Sequence, residues 1–333
     1  RRDADRVAAV TVAGHGGTEE LSAAAFVDAT GDADLAVQAG AEVRYGNQGK
    51  VQNGTLGVRF GGIPAGVHVD RTVVRDAVTA ARRRGAGPLT ADAGLVARLP
   101  LSGDVITYLA DEAYDATDAV STSRAEASAR RQAQAYLAVM RSIPGCEGAY
   151  IAATGPELGT RESRHVTGRR QLREAEVLAP GPAADAVALG CWPAEYHPGP
   201  GLPAQWSFIA DPGYYGIGLD VLHSRNTANL FSAGRSVDGD RGAGASLRVM
   251  GTAFATGQAA GVAAAQYAAQ GTVPGSAAVR TELRNQGAWL PDHPDPGGTP
   301  ASQPARTTEP VRTNEPVRTN EPVRTTEPAR RRN

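Results

Sequence analysis

Two stretches, far apart in the chain, pair an apolar strand with a glycine turn. Ala25-Phe26-Val27-Asp28-Ala29-Thr30-Gly31-Asp32 is the first and Asn229-Leu230-Phe231-Ser232-Ala233-Gly234-Arg235 the second, and each opens onto a helical pattern. Such junctions hold phosphate-bearing cofactors in doubly wound sheets, because a glycine admits close backbone approach and a helix start favours negative charge. In the first turn, Ala29, Thr30, Gly31 and Asp32 are the candidate contacts: a glycine backbone, a hydroxyl and a carboxylate for sugar hydroxyls. The competing reading is an ordinary strand-to-helix turn with Asp32 as helix cap. In the second, glycines at 234, 239, 242 and 244 precede Ser246, Arg248 and Thr252 near an expected helix start. A helix start carries roughly half a positive charge, suited to a pyrophosphate or an anionic ring. Gly257 and Gly261, four apart, are expected to pack that helix on a sheet.

A third cluster is Gly159-Thr160-Arg161-Glu162-Ser163-Arg164-His165. Arg161 and Arg164 flank a glutamate and can fix an anionic substrate or brace the pocket, the alternative being a structural ion-pair network. His165, His197 and His223 lie in the polar middle of the chain, and His197 and His223 are the candidate proton acceptors. No H-x-x-x-H or H-E-x-x-H spacing occurs, so no metal site is expected. His15, His68 and His293 read as turn or surface positions.

The composition narrows the field. A formal charge of −1 over 333 residues points to neither a nucleic-acid nor a membrane-surface partner. The stretch from Gly251 to Ala269 is mostly Ala and Gly with interspersed Thr and Gln, a buried helix rather than a membrane span. Cys146 and Cys191 are the only two cysteines, too few for a four-cysteine cluster and consistent with a reduced, cytoplasmic setting. Lys50 is the only lysine.

Alternation predicts strands from Val7 to Val12 and Leu21 to Val27 around a Gly14-His15-Gly16-Gly17 turn, a short helix ending at Gly40, and a strand from Thr55 to Phe60. Val73, Val74, Ala77, Val78 and Ala81 share one helical face after Asp70. A hairpin is expected across Ser102-Gly103-Asp104, then a long helix from Ser123 to Arg141. Residues 181 to 220 read as loops, and Val279 to Leu290 as a last helix. Residues 306 to 329 repeat a six-residue unit bearing one proline and one charge of each sign, a solvated, disordered spacer rather than an interaction segment.

Taken in order, F-V-D-A-T-G-D-A-D-L-A (26 to 36), S-R-A-E with R-R-Q (123 to 132), A-T-G-P-E-L-G-T-R-E-S-R (153 to 164), W-P-A-E-Y-H (192 to 197), N-L-F-S-A-G-R (229 to 235) and L-R-V-M-G-T-A-F-A-T-G-Q-A-A-G (247 to 261) resemble the FAD-dependent oxidoreductase family. That family is related to glutathione-reductase-type flavoproteins and to the flavin subunit of heterodisulfide reductases. The resemblance implies an α/β, doubly wound FAD-binding domain with an inserted α+β substrate domain, and bound FAD. It implies flavin contacts at Thr30, Gly31, Asp32, Gly234, Arg235, Arg248, Val249 and Thr252. It also implies an N-terminal G-x-G-x-x-G, which no strand–turn–helix stretch here supplies. With Arg1-Arg2-Asp3 at the start, the expected organisation is an FAD-binding domain lacking its first βαβ unit. Residues 1–45 and 226–290 would belong to that domain, 46–225 to a substrate or cap domain, and 291–333 to the disordered tail. The expected activity is hydride transfer from a small-molecule substrate to flavin. The alternative is a truncated, inactive fragment without cofactor.

Overall fold

The computed structural model describes residues 1–291 apart from 180, 182, 183 and 212. The repeat tail lies outside the described residues.

The two glycine junctions are neighbours. Strand Phe26–Asp28 pairs in parallel with Leu230–Ser232, matching Phe26 to Leu230, Val27 to Phe231 and Asp28 to Ser232. The bonds Phe26 N–H to Asn229 O (2.9 Å) and Ala233 N–H to Asp28 O (3.0 Å) extend the pairing at both ends. Asn229 also clamps the N-terminal segment, its buried amide bonding both backbone groups of Val7 and the carbonyl of Ala24. Among the described residues this is the one parallel pairing of strands; every other is antiparallel.

Asp28 organises the first turn. Its buried carboxylate accepts Thr30 N–H (3.0 Å), the Thr30 hydroxyl (2.7 Å) and Ala36 N–H (2.8 Å). The Thr30 hydroxyl in turn accepts Asp34 N–H at 3.0 Å. Asp28 and Thr30 therefore satisfy two open donors of the short Asp34–Gln38 helix, those of Ala36 and Asp34, and Asp32, the expected cap, does not.

Two bodies of buried side chains flank this junction. In the first, strands Tyr150–Thr154, Gly54–Gly61, Val105–Glu112 and Leu95–Arg98 form one antiparallel sheet in that order. Helices Arg71–Arg83 and Ala119–Arg141 bury Val74, Val78, Ala133, Tyr136 and Met140 within the same core. Asp70 caps the former helix through Val73 N–H at 2.9 Å, and Asp118 starts the latter four residues earlier than the apolar spacing predicts. The second body packs the Met250–Gln270 helix against strands Ala186–Gly190 and Tyr215–Gly218 and the Ser276–Asn285 helix.

Three expectations need correction. Residues 181–220 are not a continuous loop: they hold the two strands just named and a hairpin of Ala194–Tyr196 with Gln205–Ser207. Proline and glycine there mark the turns between short strands. Gly257 and Gly261 face open space; the helix packs through Thr252, Thr256, Ala259, Ala260 and Ala263 instead. The segment after Gly234 is broken by a separate helix, Arg241–Leu247, capped by Asp240.

Asp28→Ala leaves the Thr30 and Ala36 N–H groups without acceptors, and should destabilise the protein by about 3 kcal/mol. Denaturant unfolding followed by circular dichroism measures this; an unchanged midpoint would contradict the assigned role.

Candidate functional site

Gly31 and Gly234 both take left-handed backbone, with φ of 85° and 72°. At Gly31 the reason is visible: a Cβ would lie 2.6 Å from the Arg235 guanidinium carbon. Arg235 thus crosses from the second junction to the first, where its Nη2 bonds the Asp32 carboxylate at 2.8 Å. The hydroxyl of Ser163 donates to the other carboxylate oxygen of Asp32. Arg235 Nε is buried without a partner. Gly234 N–H donates to Thr256 Oγ1 (3.1 Å), bringing the second junction against the first turns of the Met250–Gln270 helix. That helix begins at Val249 with no side-chain cap, leaving its first N–H groups for other acceptors.

The 161–165 segment distributes its side chains among all the surrounding elements. Arg161 donates to Asn53 O and Thr55 Oγ1, both at 2.7 Å. Glu162, nearly fully buried, accepts Asn47 Nδ2 (2.9 Å) and Gln52 N–H (3.1 Å) and lies 3.2 Å from His165 Nε2. Arg164 pairs with Asp34 at 2.5 Å, and His165 Nδ1 sits 2.9 Å from Val237 O. The segment braces the elements around it, and Arg161 alone of its arginines reaches the inner polar cluster.

That cluster comprises Arg161, Arg248, Asp111, Glu195 and His197. Arg248 donates to Glu195 O (2.9 Å) and lies 3.8 Å from its carboxylate, while His197 Nε2 is 3.2 Å from Glu195 Oε1. Burial pulls both guanidinium pKa values down, and for Arg248, pushed to about 10, the positive charge of Arg161 adds to it. Burial likewise raises Asp111, against its bond to Thr55 and the charge of Arg161. Burial works to raise Glu195 too, but His197 and Arg248 hold it below its ordinary value. Arg248 Nε, Gln52 Nε2 and both amide atoms of Asn53 are buried here without partners. Two desolvated cations here face two carboxylates, Asp111 and Glu195, and the unpartnered Arg248 Nε is left as a donor. Tyr114, bonded to Thr160 at 2.6 Å, feels the charges of Arg235 and Asp32 and so joins this cluster to the glycine junctions.

Several expected site residues lie elsewhere. His223 is fully buried, stacked on Phe231 with ring centres 4.8 Å apart, its Nε2 on Ala228 O and its pKa lowered by burial. It lies inside the core, away from the polar cluster's hydrogen bonds. Ser246 is buried between Tyr215 OH (2.7 Å) and Trp192 O (2.5 Å), and Thr252 lies on the same tyrosine. The side chains of Thr30 and Asp32 are spent on protein partners, so the Ala29–Asp32 turn offers a ligand its backbone. Sequence reading missed Glu195, although Glu195 and His197 stand two apart around a strand and so share a face. It also missed Asp28, Ser163 and Asp111, whose partners are distant in sequence. Among the described residues no group of three or more His, Cys, Asp or Glu could hold a metal, and no helix is long and apolar enough to cross a membrane.

Residues 1–286 match a family model described as FAD dependent oxidoreductase. Comparison with curated proteins and with solved structures finds no match.

Glu162 has a folded-state pKa below its ordinary 4.5, because His165, Gln52 and Asn47 outweigh burial. A depressed carboxylate contributes stability above its unfolded pKa and loses it as pH falls through the folded one. Glu162→Gln should therefore be less stable than wild type at neutral pH, with the gap narrowing below pH 4.5. Urea unfolding across pH checks this; a pH-independent gap would contradict it.

Proposed function

This chain belongs to the FAD dependent oxidoreductase family, and we propose that it oxidises a small anionic molecule by hydride transfer to FAD. The cofactor follows from the family. When bound, FAD supplies the two-electron acceptor.

The residues at the paired junctions fit that group. The left-handed backbone at Gly234 allows close passage there, and at Gly31 it admits the Arg235 guanidinium that ties the two turns together. The uncapped start of the Met250–Gln270 helix at Val249 provides backbone donors and a positive end suited to negative charge. The unpartnered Nε of Arg235 is a further donor at the same place. We assign the junctions to a doubly wound FAD-binding unit and the sheet body of residues 54–154 to the substrate side.

The observation that carries the substrate class is the Arg161–Arg248 pair. Burial lowers both guanidiniums and the charge of Arg161 lowers Arg248 further; an anionic substrate group beside them would offset this and align the molecule. His197 is the proton acceptor in this reading. Donating Nε2–H to Glu195 leaves its other ring nitrogen to take a proton, and Glu195 stabilises the imidazolium that results. Arg164 supports the site from Asp34 without touching substrate.

The protein expressed from its complete gene should purify with a flavin absorption spectrum, and titrated oxalate or succinate should perturb that spectrum saturably. In Arg161→Ala the concentration needed should rise about tenfold or more, the worth of one lost charge-assisted bond. A folded protein that retains no flavin after FAD is added would overturn the reading. A perturbation indifferent to Arg161 would overturn its substrate class.

A further inference from the structure

A second cationic site lies outside the cluster just described. A cavity of about 580 Å³ opens between the 44–50 turn, residues 171–174, Tyr196 and the start of the Arg241–Leu247 helix. Its volume is within the range of small-molecule sites. Four cations line it, Arg44, Lys50, Arg173 and Arg241, against two carboxylates, Glu174 and Asp240.

The charges are unequally committed. Arg44 is paired with Asp238 at 3.0 Å. Asp240 is occupied by backbone donors, Ala243 N–H at 3.0 Å and Glu174 N–H at 2.9 Å. Lys50, Arg173 and Arg241 have no carboxylate partner among the described residues. Arg241 is held over the Tyr196 ring, its guanidinium carbon 4.8 Å from the centroid, which limits the freedom it would lose on binding. Three cations in no ion pair outnumber the two carboxylates of the same lining, Glu174 and Asp240, and one of the three is pre-positioned. Surface charges of an ordinary face are dispersed and mixed in sign.

We infer that this cavity binds a small ligand carrying several adjacent negative charges, a phosphoanhydride or a polycarboxylate, through Lys50, Arg173 and Arg241. Tyr196 stands between Glu195 and His197, and Asn47 of the cavity wall bonds Glu162. The cavity thus abuts Glu162 of the brace through Asn47, and no residue of the inner cluster lines it. The inference does not rest on the flavin reading.

Calorimetric titration of the protein with pyrophosphate and, separately, with citrate at low ionic strength tests it and distinguishes the two ligand sources. One of them should bind saturably with one site, and Arg173→Ala or Arg241→Ala should each weaken that binding about tenfold. Added salt should weaken it further. FAD retention should be unchanged in these variants, which separates this site from the junctions. Lys50→Glu, on an exposed turn, gives a second test should an arginine variant fold poorly. Absence of binding by both probes, or binding equal in wild type and in folded Arg241→Ala and Lys50→Glu, would overturn the inference.

Discussion

The carboxylate of Asp32 holds three distant parts of the chain to one another. Arg235 reaches it from the second glycine junction and Ser163 from the central brace, while Asp32 itself belongs to the first junction. The parallel pairing of Phe26–Asp28 with Leu230–Ser232 sets the two turns side by side. Gly31, without a Cβ, leaves the space that the guanidinium fills. An ion pair about three-quarters buried, anchored by a second donor, is worth more than an exposed one because water competes less for either partner.

From that node the charge pattern radiates outward. Residues 161–165 send successive side chains to the sheet body, the 47–52 turn, Asp32, Asp34 and Val237. The brace fixes Arg161 on Asn53 and Thr55, close enough for its charge to act on Arg248, which precedes the open start of the long helix. The order of causes is strand pairing, then the Asp32 node, then the brace, then the cationic cluster.

Much of this was legible in the sequence, and the remainder has a common cause. Both glycine junctions, the Asp70-capped helix, the hairpin around Gly103 and the long arginine-rich helix follow from local periodicity and turn chemistry, which neighbouring residues determine. What the sequence concealed is the partner of each polar side chain. Thr30, Ser246 and Thr252 read as ligand hydroxyls until their buried partners Asp28 and Tyr215 are known. His223 reads as a base until Phe231 is seen to cover it. Glu195 and His197 were recoverable from their spacing alone. Ser163 and Asp32, whose contact spans 131 residues, were not.

The most direct measurement is a double-mutant cycle on FAD affinity with Asp32→Asn, Arg235→Gln and the pair. If the two junctions grip one cofactor through their mutual contact, each single variant should weaken FAD binding. The double variant should then lose little more than either, a coupling on the order of 1–2 kcal/mol. Additive losses, or unaltered affinity in both single variants, would show that the junctions do not act as one site.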